Sequence, residues 1–139
     1  MSDNLHAVEV AITISFHDCD PMGVVWHGHY FRFFEQAREA LLRQIGYSYA
    51  EMAASGYVWP VVDTRVKYRQ PLRCEEQIRV NASVTEYENR LRIDYVVKNA
   101  TGEITTRAHT LQVAVCQQTQ ALCFVSPDIL LEKLGVKGC

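Results

Sequence analysis

The sequence predicts an α+β fold in which an antiparallel sheet of five to six strands wraps around one long central helix. Apolar residues recur at helical spacing over one long segment, residues 30–45, and alternate with polar residues in a series of shorter segments elsewhere. Most of these strand-like segments follow one another after the helix, a pattern typical of an antiparallel α+β sheet. The length of 139 residues is that of one domain.

The elements can be assigned in order along the chain. Residues 8–16 alternate cleanly, which predicts a half-buried strand with Phe16 on its apolar face, and Pro and Gly then mark a loop at residues 18–23. The helix over residues 30–45 carries a broad aromatic stripe, and Gly46 is a natural stop. A capping box at residues 48–51 predicts a short second helix, ended by Gly56. Further strands are predicted over 58–69, 78–84, 91–97, 104–116 and 121–125. A terminal helix is predicted with Ser126 as its N-cap and Pro127 as its first residue, and it runs through Leu134.

Composition and charge exclude several classes of protein. Apolar residues make up 48% and charged residues 22% of the chain, as in ordinary globular proteins. The net charge of −2 argues against nucleic-acid binding by bulk electrostatics. No run reaches the roughly 18 apolar residues of a membrane span, and the first residues lack the features of a signal peptide. We therefore expect a cytoplasmic protein with no nucleic-acid partner and no membrane span.

The cysteines favour a reduced protein. Their number is odd and their spacing contains no CxxC pair, which argues against both a disulfide framework and a zinc knuckle. We therefore expect all five to be reduced thiols, most of them buried. They are Cys19, Cys74, Cys116, Cys123 and Cys139.

Residues 17–30 hold the densest group of chemically active side chains, with two carboxylates and three imidazoles just ahead of the aromatic helix. Asp20 precedes a proline, which restricts its backbone and fixes the direction of its side chain. A carboxylate at the edge of an apolar pocket can act as a nucleophile or as a general base on water. Alternatively, Asp18 and Asp20 only accept hydrogen bonds from turn amides. The residue types alone favour this second interpretation.

The start of the long helix has no Ser, Thr, Asp or Asn at the expected N-cap, although Gly28 is tolerated there. We expect its first-turn amides to be free to bind an anion or a developing oxyanion. His27 and His29 form an HxH pair, which together with His17 or Asp20 can ligate a metal. Because the spacing places no fourth ligand, we expect these histidines to form hydrogen bonds instead.

Three cations alternate along the strand predicted over residues 58–69, so they share one face of it. They form either a solvated surface or a site for phosphates, as on a nucleotide-bearing substrate. They are Arg65, Lys67 and Arg69.

The segment 18–38 resembles the 4-hydroxybenzoyl-CoA thioesterase family. The matching pattern is Asp18-x-Asp20-x-x-Gly23-Val24-Val25-x-His27-x-x-Tyr30-x-x-x-x-Glu35-x-x-Arg38. Fainter likeness extends along nearly the whole chain, including residues 68–72, and is closest to small acyl-CoA thioesterases found alongside the Tol–Pal genes. The resemblance implies that residues 1–139 form a single hotdog thioesterase-like domain. It also implies a homodimer or homotetramer with active sites at the dimer interface.

The resemblance further implies an activity, the hydrolysis of an acyl-CoA to a carboxylic acid and coenzyme A, without metal or cofactor. The catalytic carboxylate of the family aligns with Asp20, which attacks the thioester carbonyl or draws a proton from water. The family's frequent histidine aligns with His27, and the helix start is expected to stabilise the oxyanion. The residues expected to bind substrate are Val25, Trp26, Gly28, Tyr30 and Pro60.

Two alternatives stay open at this point. A hotdog dehydratase or hydratase would use an arrangement that His29 and Glu35 only loosely match. A non-catalytic hotdog protein that binds acyl-CoA or a partner would be favoured if Asp20 were buried against amides with no adjacent cavity. The identity of the acyl group is also open. Four aromatic residues are candidates for shaping its pocket, and core packing explains each equally well: Trp26, Phe33, Tyr57 and Trp59.

Overall fold

A computed structural model describes residues 6–136. The helices are α1 (Tyr30–Gln44), α2 (Tyr49–Ala54) and α3 (Asp128–Leu134), and short 3-10 turns lie at Phe16–Asp18 and His27–His29. The strands are β1 (Ala7–Thr13), β2 (Tyr57–Val58), β3 (Val61–Tyr68), β4 (Gln77–Glu86), β5 (Leu91–Lys98), β6 (Ile104–Gln112) and β7 (Val115–Cys116).

The main sheet has five antiparallel strands in the order β1-β4-β5-β6-β3, and β2 and β7 form a separate two-stranded ladder. Alternate residues of β4 and β5 are fully buried, so one face of the sheet is apolar. The apolar stripe of α1 belongs to the same core, with the Phe34 ring 5.0 Å from that of Tyr95. The predicted α+β hotdog architecture is therefore confirmed.

Several predicted boundaries are wrong, each for a local reason. The first strand ends at Thr13 because Ser15 caps a 3-10 turn, so Phe16 is 77% exposed instead of facing the core. The strand predicted over 58–69 is interrupted at Pro60, which has no amide hydrogen to donate to a ladder. The range 104–116 likewise divides into β6 and β7.

The C-terminal part also differs from the prediction. Residues 121–125 do not form a strand, and Leu122 makes only an isolated bridge to Val115. The N-cap of α3 is Pro127 instead of Ser126. Between residues 6 and 136, no helix is long and apolar enough to cross a membrane.

The expectation of five reduced thiols is wrong for one pair, because Cys19 and Cys74 form a disulfide with 5.9 Å between their Cα atoms. Parity and spacing could not reveal it, since the fold brings two distant loops together: the Val25 amide donates to the Leu72 carbonyl at 2.8 Å. The four cysteines within the described range are half-buried instead of buried. Cys116 and Cys123 are free thiols, and Cys139 lies outside the described residues.

Candidate active site

A tight turn holds Asp20 in place. The Asp20 amide donates to the Val24 carbonyl at 2.9 Å, and the Gly23 amide donates back to the Asp20 carbonyl at 2.9 Å. Gly23 has φ +79°, a left-handed conformation that glycine adopts without steric cost. Val25 then pairs with Leu72 as described above. The turn is thereby fixed against the loop that follows β3.

A cavity of about 410 Å³ opens beside this turn. Its walls come from the turn, from the first residues of α1 and from the end of β3. The lining residues are Asp20, Val24, Val25, Trp26, His27, Tyr30, Tyr68, Arg69, Gln70 and Pro71. The structure thus brings five predicted site residues together around one cavity. Gly28 and Pro60 are not among the lining residues.

The two carboxylates of the motif have different environments. Asp18 is only 4% exposed and accepts hydrogen bonds from the Ser15 amide at 2.9 Å, from His29 Nδ1 at 3.2 Å and from the Arg32 guanidinium. Burial alone would raise the pKa of Asp18. The hydrogen bonds from Arg32, Ser15 and His29 outweigh burial, so the pKa lies below its ordinary value. Asp18 therefore connects the loop to the start of α1 and has a structural role.

Asp20 is half-buried and lines the cavity. One carboxylate oxygen, Oδ1, accepts from the Met22 amide at 2.9 Å and from the Val24 amide at 3.4 Å. The other oxygen, Oδ2, receives no hydrogen bond from residues 6–136 in this structure. Turn amides thus hold one oxygen of Asp20 while its carboxylate borders a cavity, and its catalytic role stays a prediction.

Three rings that line the cavity contact one another: those of His27, Tyr30 and Tyr68. The His27 ring meets the Tyr68 ring edge to face at 5.0 Å, and the Tyr30 ring meets Tyr68 at 4.8 Å. Burial raises the pKa of Tyr30, against the effect of hydrogen bonds with the Leu72 backbone and Thr106. Burial also raises the pKa of Tyr68. Both phenols therefore stay protonated at neutral pH and can act as hydrogen-bond donors.

The start of α1 has no side-chain cap, but the expectation of free first-turn amides is met only in part, because the His29 amide donates to the Trp26 carbonyl at 3.0 Å and the Tyr30 amide donates to the His27 carbonyl. No side chain caps the turn His27–His29 or the first turn of α1. The first amides of a helix have no partner within the helix and carry partial positive charge, so they favour an anion or a developing oxyanion. His29 hydrogen-bonds to Asp18, as described above. In the region 6–136, no three His, Cys, Asp or Glu side chains form a group that could hold a metal ion.

Several residues of the site lie outside the motif at residues 17–30. Tyr68, Gln70 and Pro71 line the cavity, and only the resemblance over residues 68–72 could have indicated them. The three alternating cations also separate: Arg69 lies beyond the end of β3 and lines this cavity. Arg65 and Lys67 instead line a smaller cleft of about 290 Å³ on the outer face of the sheet with residues of β5 and β6.

Comparison with known proteins now identifies the family. A profile of the thioesterase-like superfamily matches residues 14–133. The chain belongs to this superfamily. The chain is similar to the acyl-CoA thioester hydrolase YbgC of Escherichia coli O6:H1. The two are 27% identical over 105 residues, which cover 75% of this chain and 78% of YbgC. The narrower likeness to Tol–Pal-associated thioesterases stays a prediction.

Solved structures support the same assignment. The DHNA-CoA thioesterase of Staphylococcus aureus is 29% identical and superposes with a TM-score of 0.78, covering 85% of the thioesterase-like chain and 80% of its own. A 4-hydroxybenzoyl-CoA thioesterase complexed with 4-hydroxybenzoyl-CoA has a TM-score of 0.80 over 93% of this chain and 99% of that one. Its identity of 18% supports the fold alone.

Proposed function

We propose that the protein hydrolyses a small-molecule acyl-CoA to a free acid and coenzyme A, with Asp20 as the catalytic carboxylate. One observation carries this proposal: Asp20 is oriented by turn amides through one oxygen and borders a cavity that also reaches His27 at the start of α1. A binding protein needs no oriented carboxylate at that position. Similarity to YbgC and to the S. aureus thioesterase supports the same reaction.

The reaction follows from the chemistry of these groups. The thioester carbonyl lies against the backbone amides around His27 and Gly28 at the helix start, which stabilise the negative charge on its oxygen as the tetrahedral intermediate forms. Asp20 either attacks the carbonyl carbon, giving a mixed anhydride that water then cleaves, or takes a proton from the attacking water. In both routes the carbon–sulfur bond breaks, the sulfur leaves as a thiolate that takes up one proton of the water consumed, and the acyl group becomes a carboxylic acid.

The other lining residues orient the substrate. His27 is exposed at the mouth of the cavity and can hydrogen-bond water or the thioester. Tyr30 and Val25 also line the cavity and are buried, with 2% and 6% of their surface exposed. The functions predicted for Gly28 and Pro60 in substrate binding belong to the same proposal. No metal or cofactor takes part in this mechanism.

A homodimer or homotetramer with the site at its interface is also part of the proposal. Among the described strands, β3 pairs only with β6, so its other edge is free. That edge strand exposes Val61 at 42% and Val62 at 57%, and an exposed apolar edge strand favours pairing with a second chain. Tyr68 at the end of β3 lines the cavity. A second copy paired along β3 would therefore reach the active site.

The oligomer has its own test. Sedimentation at micromolar concentration should give a dimer or tetramer, and Val62→Lys should dissociate it, because lysine on an edge strand opposes strand pairing. Val125→Lys, at an exposed valine outside β3, is the matched control. A wild-type monomer would contradict this part of the proposal. The predicted cytoplasmic location is likewise a proposal, which cell fractionation tests.

The activity is tested by thiol release from acetyl-, butyryl-, hexanoyl-, decanoyl-, palmitoyl- and benzoyl-CoA. The chromogenic reagent also reacts with free cysteines such as Cys116 and Cys123, so a protein-only blank is required. Turnover of any ester confirms the thioesterase, and the preferred ester identifies the acyl group. If no ester releases thiol and the protein binds coenzyme A tightly, the non-catalytic alternative is supported instead.

A further inference from the structure

The structure separates the four aromatic residues that were candidates for shaping the acyl pocket. Phe33 is fully buried and Trp59 is 7% exposed, and both belong to the hydrophobic core. Tyr57 packs against that core from β2. Trp26 is the one of the four that lines the cavity beside Asp20, and its side chain is 56% exposed.

The indole of Trp26 lies directly on the backbone of Gly28. A Cβ atom added at Gly28 would lie 2.2 Å from Cζ3 of the indole, far inside any real contact distance. Only glycine at this position therefore allows the ring to occupy its place. The missing side chain of Gly28 therefore makes room for the Trp26 indole.

A second contact fixes the same ring. The indole meets the His29 imidazole edge to face, with 5.6 Å between ring centroids. His29 is itself held by its hydrogen bond to the buried Asp18. The Trp26 ring is thus supported by the helix start and by an anchored imidazole, although much of its surface is open to solvent. Such a preorganised apolar surface loses little conformational entropy when a ligand packs on it.

We propose that Trp26 is a specificity-determining residue whose indole contacts the acyl group and limits its length. The inference rests on the proposed thioesterase function. Trp26 immediately precedes His27, where the helix start would polarise the thioester carbonyl, so the first carbons of the acyl chain pass close to the indole. A ring of this size is a large apolar surface for a short acyl group and an obstacle to a long one.

The test compares kcat/KM for decanoyl-CoA and butyryl-CoA in the wild type and in Trp26→Ala. Removing the indole should raise the decanoyl-to-butyryl ratio by about tenfold or more, the change expected when the wall of an apolar pocket is altered by a group of this size. Trp26→Phe, which keeps a smaller ring, should give an intermediate ratio. Phe124→Ala removes an 80% exposed aromatic ring outside the cavity and should leave the ratio unchanged.

The outcomes are distinguishable. An unchanged or lower ratio in Trp26→Ala overturns the inference, and so does an equal loss on every ester, which would mean that the ring only positions the thioester. Trp26→Phe decides the question by the same criteria if Trp26→Ala does not fold, as judged by circular dichroism. A wild type that turns over no ester refutes the proposed function itself.

Discussion

The hydroxyl of Tyr68 donates a hydrogen bond to the main-chain carbonyl of His27 across 3.1 Å. The two rings also meet edge to face at 5.0 Å. Tyr68 is the last residue of β3 and His27 begins the turn into α1. The pair therefore joins the strand wall and the helix wall of the cavity, and it fixes the backbone at the proposed oxyanion site.

We expect Tyr68→Phe to impair both stability and catalysis. The variant keeps the ring contact and loses the hydrogen bond, which should lower the free energy of unfolding by about 1 kcal/mol. Because the His27 backbone is then less firmly positioned, kcat/KM should fall several-fold. Urea unfolding and thiol-release kinetics measure the two effects. Tyr57→Phe, outside the cavity, is the control, and equal behaviour of the two variants would contradict the positioning role.

The Cys19–Cys74 disulfide should stabilise the fold strongly. It links residues 55 positions apart, and closing a loop of that length in the unfolded chain corresponds to about 4 kcal/mol. Cys74→Ser should therefore lower the free energy of unfolding by roughly that amount in urea, and dithiothreitol should destabilise the wild type to a similar degree. Cys116→Ser is the control, since Cys116 is a free thiol. Insensitivity of the wild type to dithiothreitol would contradict the disulfide's contribution.

Asp18→Asn should destabilise the protein in a pH-dependent way. Asp18 accepts charge-assisted bonds, so its replacement should cost about 2 kcal/mol at pH 7. Its pKa is lowered in the folded state, so its stabilising contribution is complete above the unfolded pKa of about 4 and is lost as pH falls through the folded pKa. The difference in unfolding free energy between wild type and variant should therefore shrink below about pH 4.

Urea unfolding of both proteins between neutral and acid pH measures this difference. Asp94→Asn, on the outer face of the sheet with Arg92 as its partner, is the matched control for removing one carboxylate. The difference in unfolding free energy between wild type and Asp18→Asn could instead stay constant down to the lowest pH. That result would show that Asp18 does not stabilise the fold through its charge.

Local patterns were sufficient to predict most of the fold. The helical spacing of Phe33, Phe34 and Leu41 predicted α1 within one residue at its end, because the same apolar stripe that sets the period is buried in the core. Hydrophobic alternation predicted the wrong strand ends where a polar cap or a proline determines the backbone conformation. Ser15 caps a turn that removes Phe16 from its strand, and Pro60 interrupts a ladder that alternation alone would continue.

The site was predictable only in part. The motif around Asp20 and His27 is contiguous, so the sequence shows it directly. Tyr68 reaches the same cavity from a strand 41 residues away from His27, and Cys74 reaches Cys19 from a loop 55 residues away. Contacts of such range depend on how β3 and the following loop fold against the helix start. No periodicity along the chain encodes them. The resemblance over residues 68–72 was the only signal for Tyr68, and no pattern indicated the pairing of Cys19 with Cys74.

The central claim is that Asp20 carries the chemistry, and comparing thiol release by the wild type, Asp20→Asn and Asp94→Asn tests it most directly. Asn keeps a carbonyl oxygen that can accept from the Met22 and Val24 amides, so the turn should remain folded, which circular dichroism and thermal melting would verify. We predict that Asp20→Asn loses about 10²-fold or more in kcat on the best ester while Asp94→Asn stays near wild type. A correctly folded Asp20→Asn protein with wild-type turnover would contradict the account.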